Sequence, residues 1–475
     1  MRKITLIKGD GIGKEISESV IRIFQAAEVP IEWEEMEAGL ECYEKIGTPL
    51  PQKTLDSIIK NKVALKGPTT TPIGTGHKSV NVTIRKSLEL FANVRPARTL
   101  PGINTRFGNI DIVVIRENIE DTYGAIEHME TPDVAQTLRI ITRQGSYMIH
   151  SFSFEYALKN NRRKLTCVHK ANIQKMSDGL FLEVFKQLST QYPQIQAEDI
   201  IVDNLCMQLV TNPERFDVLV LPNIFGDIVS DLCAGLVGGL GLAPSGNIGR
   251  NIAVFEAVHG SAPDIAGKNL ANPTAFILSS TMLLKHIGLR SYAHKIELAL
   301  NNTFKQGIMT KDLGGNYSTT EFTNSIINEL KKIQQDKTQI FLSDQELSEN
   351  QEIEINSPPP PTPSINWQII GIDLFIEWNH IHHNGNQSLP NVPKNYKNLE
   401  LKMISNRGTK IYPPPTPDII MVNWFRCRYL SDTPLEYKDI LEFLEEISKQ
   451  GIKWMHIEIL RKEGSKELFS KAQGE

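Results

Sequence analysis

Asp227 and Asp231 stand four residues apart in the segment NIFGDIVSD, a spacing that points directly to chemistry. In a helix this spacing puts both carboxylates on one face, where like charges repel each other and weaken the helix. A divalent cation reverses that cost, because hard cations such as magnesium bind carboxylate oxygens together with water and substrate. The alternative for such a pair is two solvated surface acids, since charged side chains are mostly exposed.

The residues before this pair favour the metal interpretation. The segment LVLPNIFGDIVSD passes from an apolar strand pattern at Val218–Leu221 through a short turn into the predicted helix. Open α/β sheets bind ligands beyond the carboxyl ends of such strands. The pattern therefore predicts that Asp227 and Asp231 lie at a ligand site.

A second set of residues has the chemistry needed to bind an anionic substrate. Arg85, Arg95 and Arg116 occur among apolar strand and turn residues. Guanidinium groups bind carboxylates through two parallel hydrogen bonds, so these arginines are candidate carboxylate clamps. Ser79 and Asn81 add neutral hydrogen-bonding groups, although each is also a common cap or turn residue.

Tyr123 and Lys170 are candidate proton carriers, since both side chains can exchange a proton with a substrate. The loop HGSAPDIAGKNLANP, which begins at His259, can hold a nucleotide through its backbone. Asp264 in this loop can accept hydrogen bonds from ribose hydroxyls, and it would repel a 2′-phosphate. The segment GDGIG at Gly9–Gly13 has the spacing GxGxG rather than GxGxxG, and a tight turn that needs glycine explains it equally well.

Strand and helix patterns alternate over residues 1–333, which predicts an α/β fold. Residues 334–364 form a polar and then proline-rich linker. Residues 365–475 show strand patterns and a helix, which predicts a small separate α+β domain. The strands predicted in the first region are Ile4–Ile7, Val63–Leu65, Asp111–Ile115, Leu165–Val168, Ile200–Val202, Val218–Leu221 and Ala253–Glu256.

Composition narrows the classes of protein further. The 475 residues imply more than one domain. The net charge of −4, without a long basic block, argues against a nucleic-acid partner. Five scattered cysteines without a CxxC pair favour a reducing compartment. No apolar run reaches the ~20 residues needed to span a membrane, and no signal-peptide pattern is present, so we expect a cytoplasmic protein.

In their order along the chain, a set of segments between Gly9 and Gly315 resembles the decarboxylating dehydrogenases for metal-chelating 2-hydroxy acids. This family includes isocitrate and isopropylmalate dehydrogenases. Ser79 and Asn81 stand where the isocitrate enzymes meet the distal carboxylate of the substrate, whereas isopropylmalate enzymes have an apolar pocket there. The C-terminal region resembles that of a long bacterial subtype of isocitrate dehydrogenase. The matching segments are GDGIG, KSVNVTIR, NVRP, IRENIEDTYG, VHKAN, VDNLCMQL, NIFGDIVSD, GGLGLAPSGNIG, FEAVHGSAPDIAG, ANPTA and DLGG.

The resemblance implies a fold and an activity. The fold is a doubly wound non-Rossmann α/β fold with a large domain, a small domain and a clasp that interlocks an obligate homodimer. The activity is the metal-dependent oxidative decarboxylation of isocitrate to 2-oxoglutarate and carbon dioxide, a reaction of the tricarboxylic acid cycle. The metal would be magnesium or manganese, and the hydride acceptor would be NAD or NADP.

The resemblance also implies a role for each matching residue. Tyr123 would protonate the enolate after carbon dioxide leaves, and the partner subunit's Lys170 would take the proton from the substrate hydroxyl. Asp227 and Asp231 would hold the metal together with the partner subunit's Asp203. The substrate would be bound by Ser79, Asn81, Arg85, Arg95 and Arg116. The dinucleotide would contact Thr70, His259, Gly260, Ser261, Ala262, Pro263, Asp264, Ile265 and Asn272.

The resemblance leaves alternatives open for the cofactor, the substrate, catalytic competence and the C-terminal domain. Members that use NADP usually carry lysine and tyrosine where Asp264 and Ile265 stand, so NAD is expected and NADP is the alternative. Oxidation of homoisocitrate, isopropylmalate or tartrate is the sister activity to test against. A non-catalytic regulatory subunit is disfavoured, because such subunits lose an acid or a base and this chain retains each one. For the C-terminal domain we expect a role in oligomer contacts, with binding of a regulatory ligand as the alternative.

Overall fold

The computed structural model describes residues 1–72, 79–335, 365–379, 388–414 and 419–472. All but the first two positions of the predicted linker, residues 334–364, lie outside this part of the chain. Within it, helices long and apolar enough to cross a bilayer are absent.

Helices and strands alternate up to residue 335, and strands dominate the region after residue 365. The helices are α1 (Gly13–Ala26), α2 (Leu40–Ile46), α3 (Gln52–Asn61), α4 (Val80–Ser87), α5 (Arg143–Lys159), α6 (Ser177–Ser189), α7 (Val202–Thr211), α8 (Asn223–Leu236), α9 (Thr274–His286), α10 (Arg290–Lys305), α11 (Thr319–Gln335) and α12 (Tyr437–Lys449). The strands are β1 (Arg2–Ile7), β2 (Ile31–Met36), β3 (Val63–Lys66), β4 (Ala92–Arg98), β5 (Asp111–Glu117), β6 (Glu127–Thr131), β7 (Val134–Thr137), β8 (Lys164–His169), β9 (Gln196–Ile201), β10 (Val218–Leu221), β11 (Pro244–Ile248), β12 (Ala253–Ala257), β13 (Gln368–Glu377), β14 (Asn395–Tyr396), β15 (Leu399–Asn406), β16 (Thr409–Tyr412), β17 (Trp424–Leu435), β18 (Trp454–Glu463) and β19 (Lys466–Glu467).

The chain divides into two compact units. The first unit comprises Met1–Gly124 and Arg139–Pro360, and the second comprises Ala125–Leu138 and Pro361–Glu475. The hairpin β6–β7 therefore groups with the C-terminal region, a grouping that the sequence patterns did not indicate.

One ten-stranded sheet organises the first unit, in the order β2-β1-β3-β12-β11-β4-β5-β10-β8-β9. The strands β2, β1, β3 and β12 are parallel to one another, and so are β5, β10, β8 and β9. Antiparallel pairing of β11 and β4 joins these two parallel blocks, which consequently run in opposite directions.

Helices cover both faces of the sheet because its strands carry apolar side chains on both sides. In β10, Val218 and Val220 pack in a core cluster with α5 and α6, whereas Leu219 and Leu221 pack in another with α7 and α8. On the other block, α1, α9, α10 and α11 cover one face, and α3 and α4 contribute to the core of the other. The predicted doubly wound α/β fold is confirmed.

The second unit contains an antiparallel sheet in the order β14-β15-β17-β13-β18-β19, with β16 paired to β15. The helix α12 packs Phe443 against Tyr429 of β17, with ring centroids 4.7 Å apart. Thr131 Oγ1 of the hairpin β6–β7 donates to Asn423 Oδ1 at 2.9 Å. The small α+β domain predicted from the C-terminal sequence is confirmed.

Candidate active site

The carboxyl ends of β5, β10 and β8 bring three functional segments to one edge of the sheet, because these strands are parallel neighbours. Arg116 is the last but one residue of β5. Asp227 lies in the first part of α8, which begins two residues after β10 ends. Lys170 directly follows β8. This is the edge at which open α/β sheets bind ligands.

Asp227 is the point at which the predicted substrate and proton-transfer residues meet. Tyr123 Oη donates to Asp227 Oδ2 at 2.6 Å, and Arg95 Nη1 donates to Asp227 Oδ1 at 3.2 Å. Arg116 Nη1 also contacts Asp227 Oδ1. A glycine precedes Asp227 because α8 passes close to β5: a Cβ at Gly226 would lie 2.6 Å from Arg116 Cγ.

The arginines around Asp227 form a cationic cluster that is short of partners. Burial and the charges of Arg95 and Arg85 lower the pKa of Arg116 to about 10. Burial and the charge of Arg85 also lower the pKa of Arg95. Two buried guanidinium nitrogens, Arg116 Nη2 and Arg85 Nε, have no hydrogen-bond partner among the described residues. Unpaired buried donors on clustered cations favour the binding of an anion.

The two helical aspartates differ in their surroundings. Burial would raise the pKa of Asp227, but Arg116 and Arg95 outweigh it and hold the pKa below its usual range. Burial raises the pKa of Asp231, as does the charge of Asp227. The Asp231 side chain is 55% exposed, and its Oδ1 lies 3.8 Å from Arg95 Nη1. An accessible carboxylate one helical turn from another is a suitable ligand pair for a hard divalent cation.

Lys170 and Asp203 form a separate pair. Lys170 Nζ donates to Asp203 Oδ1 at 2.5 Å, and this bond lowers the pKa of Asp203. Within one chain, Lys170 is therefore paired with the Asp203 carboxylate. Across the described ranges of the chain, three or more His, Cys, Asp or Glu side chains do not gather into a metal-binding group. One chain therefore does not bring Asp203 to Asp227 and Asp231.

Ser79, Asn81 and Arg85 lie on or beside α4. Ser79 is the N-cap of α4, with its side chain accepting from Val82 N at 3.5 Å, so a capping role is compatible with a binding role. Asn81 Oδ1 accepts from Thr69 Oγ1 at 3.2 Å. Arg85 is buried and pairs with Glu256, a residue that sequence analysis did not select.

The loop that begins at His259 lies against the segment GDGIG. Thr70 Oγ1 and Ser261 Oγ are 2.6 Å apart, and Ile12 N donates to Ser261 O at 2.9 Å. Gly11 has φ +55, and a Cβ there would lie 2.0 Å from Ser261 O, which supports the interpretation of GDGIG as a tight turn. His259 Nε2 is buried without a partner in the described part of the chain, and Asp264 is exposed. These features fit a dinucleotide site.

Residues 3–326 match the family model described as isocitrate/isopropylmalate dehydrogenase. The chain belongs to this family. Residues 367–475 match the model described as the C-terminal domain of bacterial isocitrate dehydrogenase, so this isocitrate/isopropylmalate dehydrogenase family member has the long bacterial form.

Two sequence relatives and one solved structure show what the chain is similar to within the isocitrate/isopropylmalate dehydrogenase family. It is 43% identical to a Thermus thermophilus protein named NADP isocitrate dehydrogenase, over 99% of this chain and 96% of that protein. It is 54% identical to a Dictyostelium discoideum protein named as a regulatory subunit of mitochondrial NAD isocitrate dehydrogenase, over 70% of this chain and 92% of that protein. A solved structure of a Thermus thermophilus protein aligns with a TM-score of 0.89 and 41% identity, covering 100% of this chain and 96% of that one. The predicted isocitrate/isopropylmalate dehydrogenase-like fold is confirmed.

A buried polar network supports the arginines of this family member, and sequence analysis missed it. Glu256 accepts from Lys66 at 2.8 Å and from Arg85 at 2.9 Å, and these charges outweigh burial and lower the pKa of Glu256. Asn247 Nδ2 donates to Glu256 Oε1 at 2.9 Å and Asn247 Oδ1 accepts from Asn93 at 2.6 Å. The available signal was charge inside apolar strands, as in VALKG and AVFEAV.

Proposed function

We propose that this protein catalyses the oxidative decarboxylation of isocitrate to 2-oxoglutarate and carbon dioxide, with NAD as the hydride acceptor and magnesium or manganese as the metal. The convergence of Arg95, Arg116 and Tyr123 on Asp227 carries this proposal. It joins an anion-binding cluster, an acid and a metal ligand in one place, as this reaction requires. The setting is the tricarboxylic acid cycle in the cytoplasm.

Arginines and α4 bind the substrate in this proposal. Arg95 and Arg116 bind carboxylates through their guanidinium forks, and the unpaired Arg116 Nη2 supports that role. Ser79 and Asn81 bind the distal carboxylate, which favours isocitrate over isopropylmalate. The N-terminus of α4, where Ser79 lies, adds the positive end of a helix dipole, which favours a carboxylate.

Asp227 and Asp231 hold the metal together with the partner subunit's Asp203. When bound, the divalent ion supplies Lewis-acid stabilisation of negative charge that develops on the substrate oxygens. The raised pKa of Asp231 supports this assignment, because a cation is what two close carboxylates need.

Tyr123 and the partner subunit's Lys170 move the protons. Lys170 accepts the proton of the substrate hydroxyl as hydride leaves the same carbon for NAD, and Tyr123 protonates the enolate carbon that remains after carbon dioxide departs. Burial raises the pKa of Tyr123, which keeps its phenol protonated and ready to donate.

An exposed apolar surface near Lys170 and Asp203 supports a homodimer with shared sites. Met207 and Val210 on α7 are 53% and 49% exposed, Ile228 on α8 is 60% exposed, and Ile173 after β8 is 71% exposed. Large apolar side chains gathered on neighbouring elements are typical of a subunit interface. A partner that covers them stands beside Lys170 and Asp203.

The proposed function is tested by measuring NADH formation from isocitrate with and without EDTA. We expect turnover that EDTA lowers at least ~100-fold, or about 2.7 kcal/mol of lost transition-state stabilisation, and that added manganese restores. Faster oxidation of isopropylmalate, homoisocitrate or tartrate would reject the choice of isocitrate. Binding of isocitrate without any turnover would favour the regulatory-subunit alternative.

We expect kcat/KM with NAD to exceed that with NADP at least tenfold, which corresponds to ~1.4 kcal/mol. Asp264 supports this prediction, because its exposed carboxylate would repel a 2′-phosphate. The double variant Asp264→Lys, Ile265→Tyr should reverse the preference, whereas Asp56→Lys, the same charge change on α3, should leave it unaltered. A tenfold preference of the unmodified protein for NADP would contradict the role of Asp264.

We propose that the C-terminal domain provides oligomer contacts. Its His456 Nδ1 lies 3.1 Å from Glu130 Oε2 of the hairpin β6–β7, and the Glu130 side chain is 1% exposed. Truncation after Gln335, the end of α11, should lower the number of subunits per particle measured by light scattering. It should also lower the melting temperature, because this buried carboxylate loses His456 and, within the ranges that the structure describes, keeps only His128 as an ion-pair partner. The family member from Dictyostelium, matched over 70% of this chain, supports independent folding of the first unit. An unchanged number of subunits per particle together with unchanged kinetics would remove the proposal.

A further inference from the structure

Arg139 lies between two buried carboxylates of the first unit. Its Nε donates to Asp121 Oδ1 at 2.6 Å, while its Nη1 contacts both Asp178 Oδ1 and Gln174 Oε1. The side chains of Asp121 and Asp178 are 0% exposed, and that of Arg139 is 14% exposed. Carboxylates buried this deeply need a cation and hydrogen bonds. One guanidinium therefore serves two separate segments of the chain.

Asp121 joins the segment that carries Tyr123 to the helix that carries Asp227. Its carboxylate accepts from Thr122 N at 2.8 Å and from Ile224 N, in the first turn of α8, at 3.0 Å. The Tyr123 hydroxyl and the Asp227 carboxylate, which are 2.6 Å apart, thus sit on two segments that meet at one carboxylate. Movement of Asp121 would change the position of Tyr123 relative to Asp227.

Asp178 performs the corresponding task for the segment that carries Lys170. Its Oδ2 accepts from Lys170 N at 2.6 Å. On the other side of that residue, Gln174 N donates to Lys170 O at 2.9 Å. Ile173 N also donates to Lys170 O, at 3.0 Å. Two of the three residues that hold the Lys170 backbone, Asp178 and Gln174, also contact Arg139 Nη1. The position of the Lys170 backbone therefore depends on this guanidinium.

We propose that Arg139 is a positioning residue that holds Tyr123 and Lys170 at once and so links the two active sites of the dimer. This inference rests on the proposed function, in which Tyr123 and Lys170 of one chain serve different sites. Each Arg139 then positions Tyr123, the acid of one site, and Lys170, the base of the other site. A disturbance at one Arg139 reaches both sites.

The first test is Arg139→Lys. Lysine keeps the charge but has one nitrogen in place of the planar fork, so it cannot hold two carboxylates in the same geometry. We expect kcat for isocitrate to fall ~10- to 100-fold, because small displacements of catalytic groups have effects of this size. The KM for isocitrate should change less than ~3-fold, because Arg95 and Arg116 do not contact Arg139. A purely structural defect would lower the amount of folded enzyme and its melting temperature, but the enzyme that does fold would keep a normal kcat as well as a normal KM.

Arg162→Lys is the matched control. Arg162 also bridges two aspartates, with Nη2 2.6 Å from Asp111 Oδ1 and Nη1 2.8 Å from Asp217 Oδ1, but it does so at the amino ends of β5 and β10. We expect a loss of melting temperature comparable to that of Arg139→Lys and a kcat within ~2-fold of the unmodified enzyme. Asp178→Asn, which keeps the size and one acceptor, carries the test if Arg139→Lys does not fold.

Mixed dimers separate the two halves of the link. One chain carries Tyr123→Phe and the other Lys170→Met, so a single site keeps both residues, its Lys170 from the first chain and its Tyr123 from the second. Adding Arg139→Lys to the first chain tests the hold on Lys170, and adding it to the second tests the hold on Tyr123. We expect kcat to fall in both arrangements. A kcat equal to that of the parent mixed dimer in either one would overturn the link, whereas absence of isocitrate turnover by the unmodified enzyme and by Arg162→Lys would overturn the proposed function instead.

Discussion

Asp227→Asn is expected to lower kcat/KM for isocitrate at least ~1,000-fold, which corresponds to about 4 kcal/mol of transition-state stabilisation. The amide keeps the size of the side chain but removes the charge that a divalent cation requires. It also leaves Arg95 and Arg116 without the carboxylate that both contact. Tyr123 loses its charged acceptor in the same substitution. The substitution thus weakens metal binding, the substrate-binding arginines and the placement of Tyr123 at the same time. We therefore expect it to be among the most damaging single changes to activity in the chain.

A metal titration distinguishes loss of the ligand from a general defect. The concentration of manganese that gives half-maximal activity should rise at least ~10-fold in Asp227→Asn, or about 1.4 kcal/mol of binding. Asp56→Asn, an exposed aspartate on α3 that accepts from Gln52 Nε2 at 2.9 Å, should titrate as the unmodified enzyme does. If the residual activity of Asp227→Asn needs no more manganese than the control, the assignment of Asp227 as a metal ligand is wrong.

The segment around Asp227 was predictable because its signals are local. A four-residue apolar strand, one proline and a helix with two acids on one face follow each other directly, and the structure has β10, Pro222 and α8 in these places. Continuous apolar runs also identified β1, β3, β5, β8 and β12, since burial on both faces favours such runs. The parallel edge strand β2, with the sequence IEWEEM, was not predicted. The strand predicted at Ile200–Val202 is longer at its start, as Gln196–Ile201, and Val202 begins α7.

The central strands β4 and β11 were not predicted, because their side chains serve the polar network rather than an apolar core. The segments NVRPAR and PSGNI carry asparagine, arginine, proline and glycine, which are poor indicators of a strand. In the structure Asn93 of β4 and Asn247 of β11 hydrogen-bond to each other at 2.6 Å. Such pairs satisfy each other only after strands distant in sequence have met, so neither residue alone reveals its partner.

The link through Arg139 was also not predictable from sequence, because its partners are distant along the chain. Arg139 lies 18 residues from Asp121 and 39 from Asp178, and its segment has no motif that sequence analysis could recognise. The deep burial of the two carboxylates results from tertiary packing. From sequence alone, every aspartate is expected to be exposed. Residue types and the family resemblance selected the candidate reactive side chains, whereas the tertiary structure was needed to find what holds them.

Two inactive variants, Tyr123→Phe and Lys170→Met, should restore activity to each other when they are produced together. In a homodimer with shared sites, each mixed dimer has one site with both defects and one site with neither. Random pairing makes half of the dimers mixed, so the expected activity is roughly a quarter of that of the unmodified enzyme. Each variant alone should retain less than ~1%, because loss of a positioned acid or base costs ~100-fold or more.

The size of this recovery depends on which chain supplies Lys170. If Tyr123 and Lys170 of one chain served the same site, every site of a mixed dimer would carry one defect and co-production would restore nothing. The structure gives a physical reason to expect recovery: Lys170 is paired with Asp203, and Tyr123 with Asp227, in two separate contacts of the single chain. Purification through a different tag on each chain isolates the mixed dimer, in which activity should reach roughly half that of the unmodified enzyme. Co-production of Tyr123→Phe with Asp227→Asn is the control, because those two residues belong to one site and every site of the mixed dimer then carries a defect.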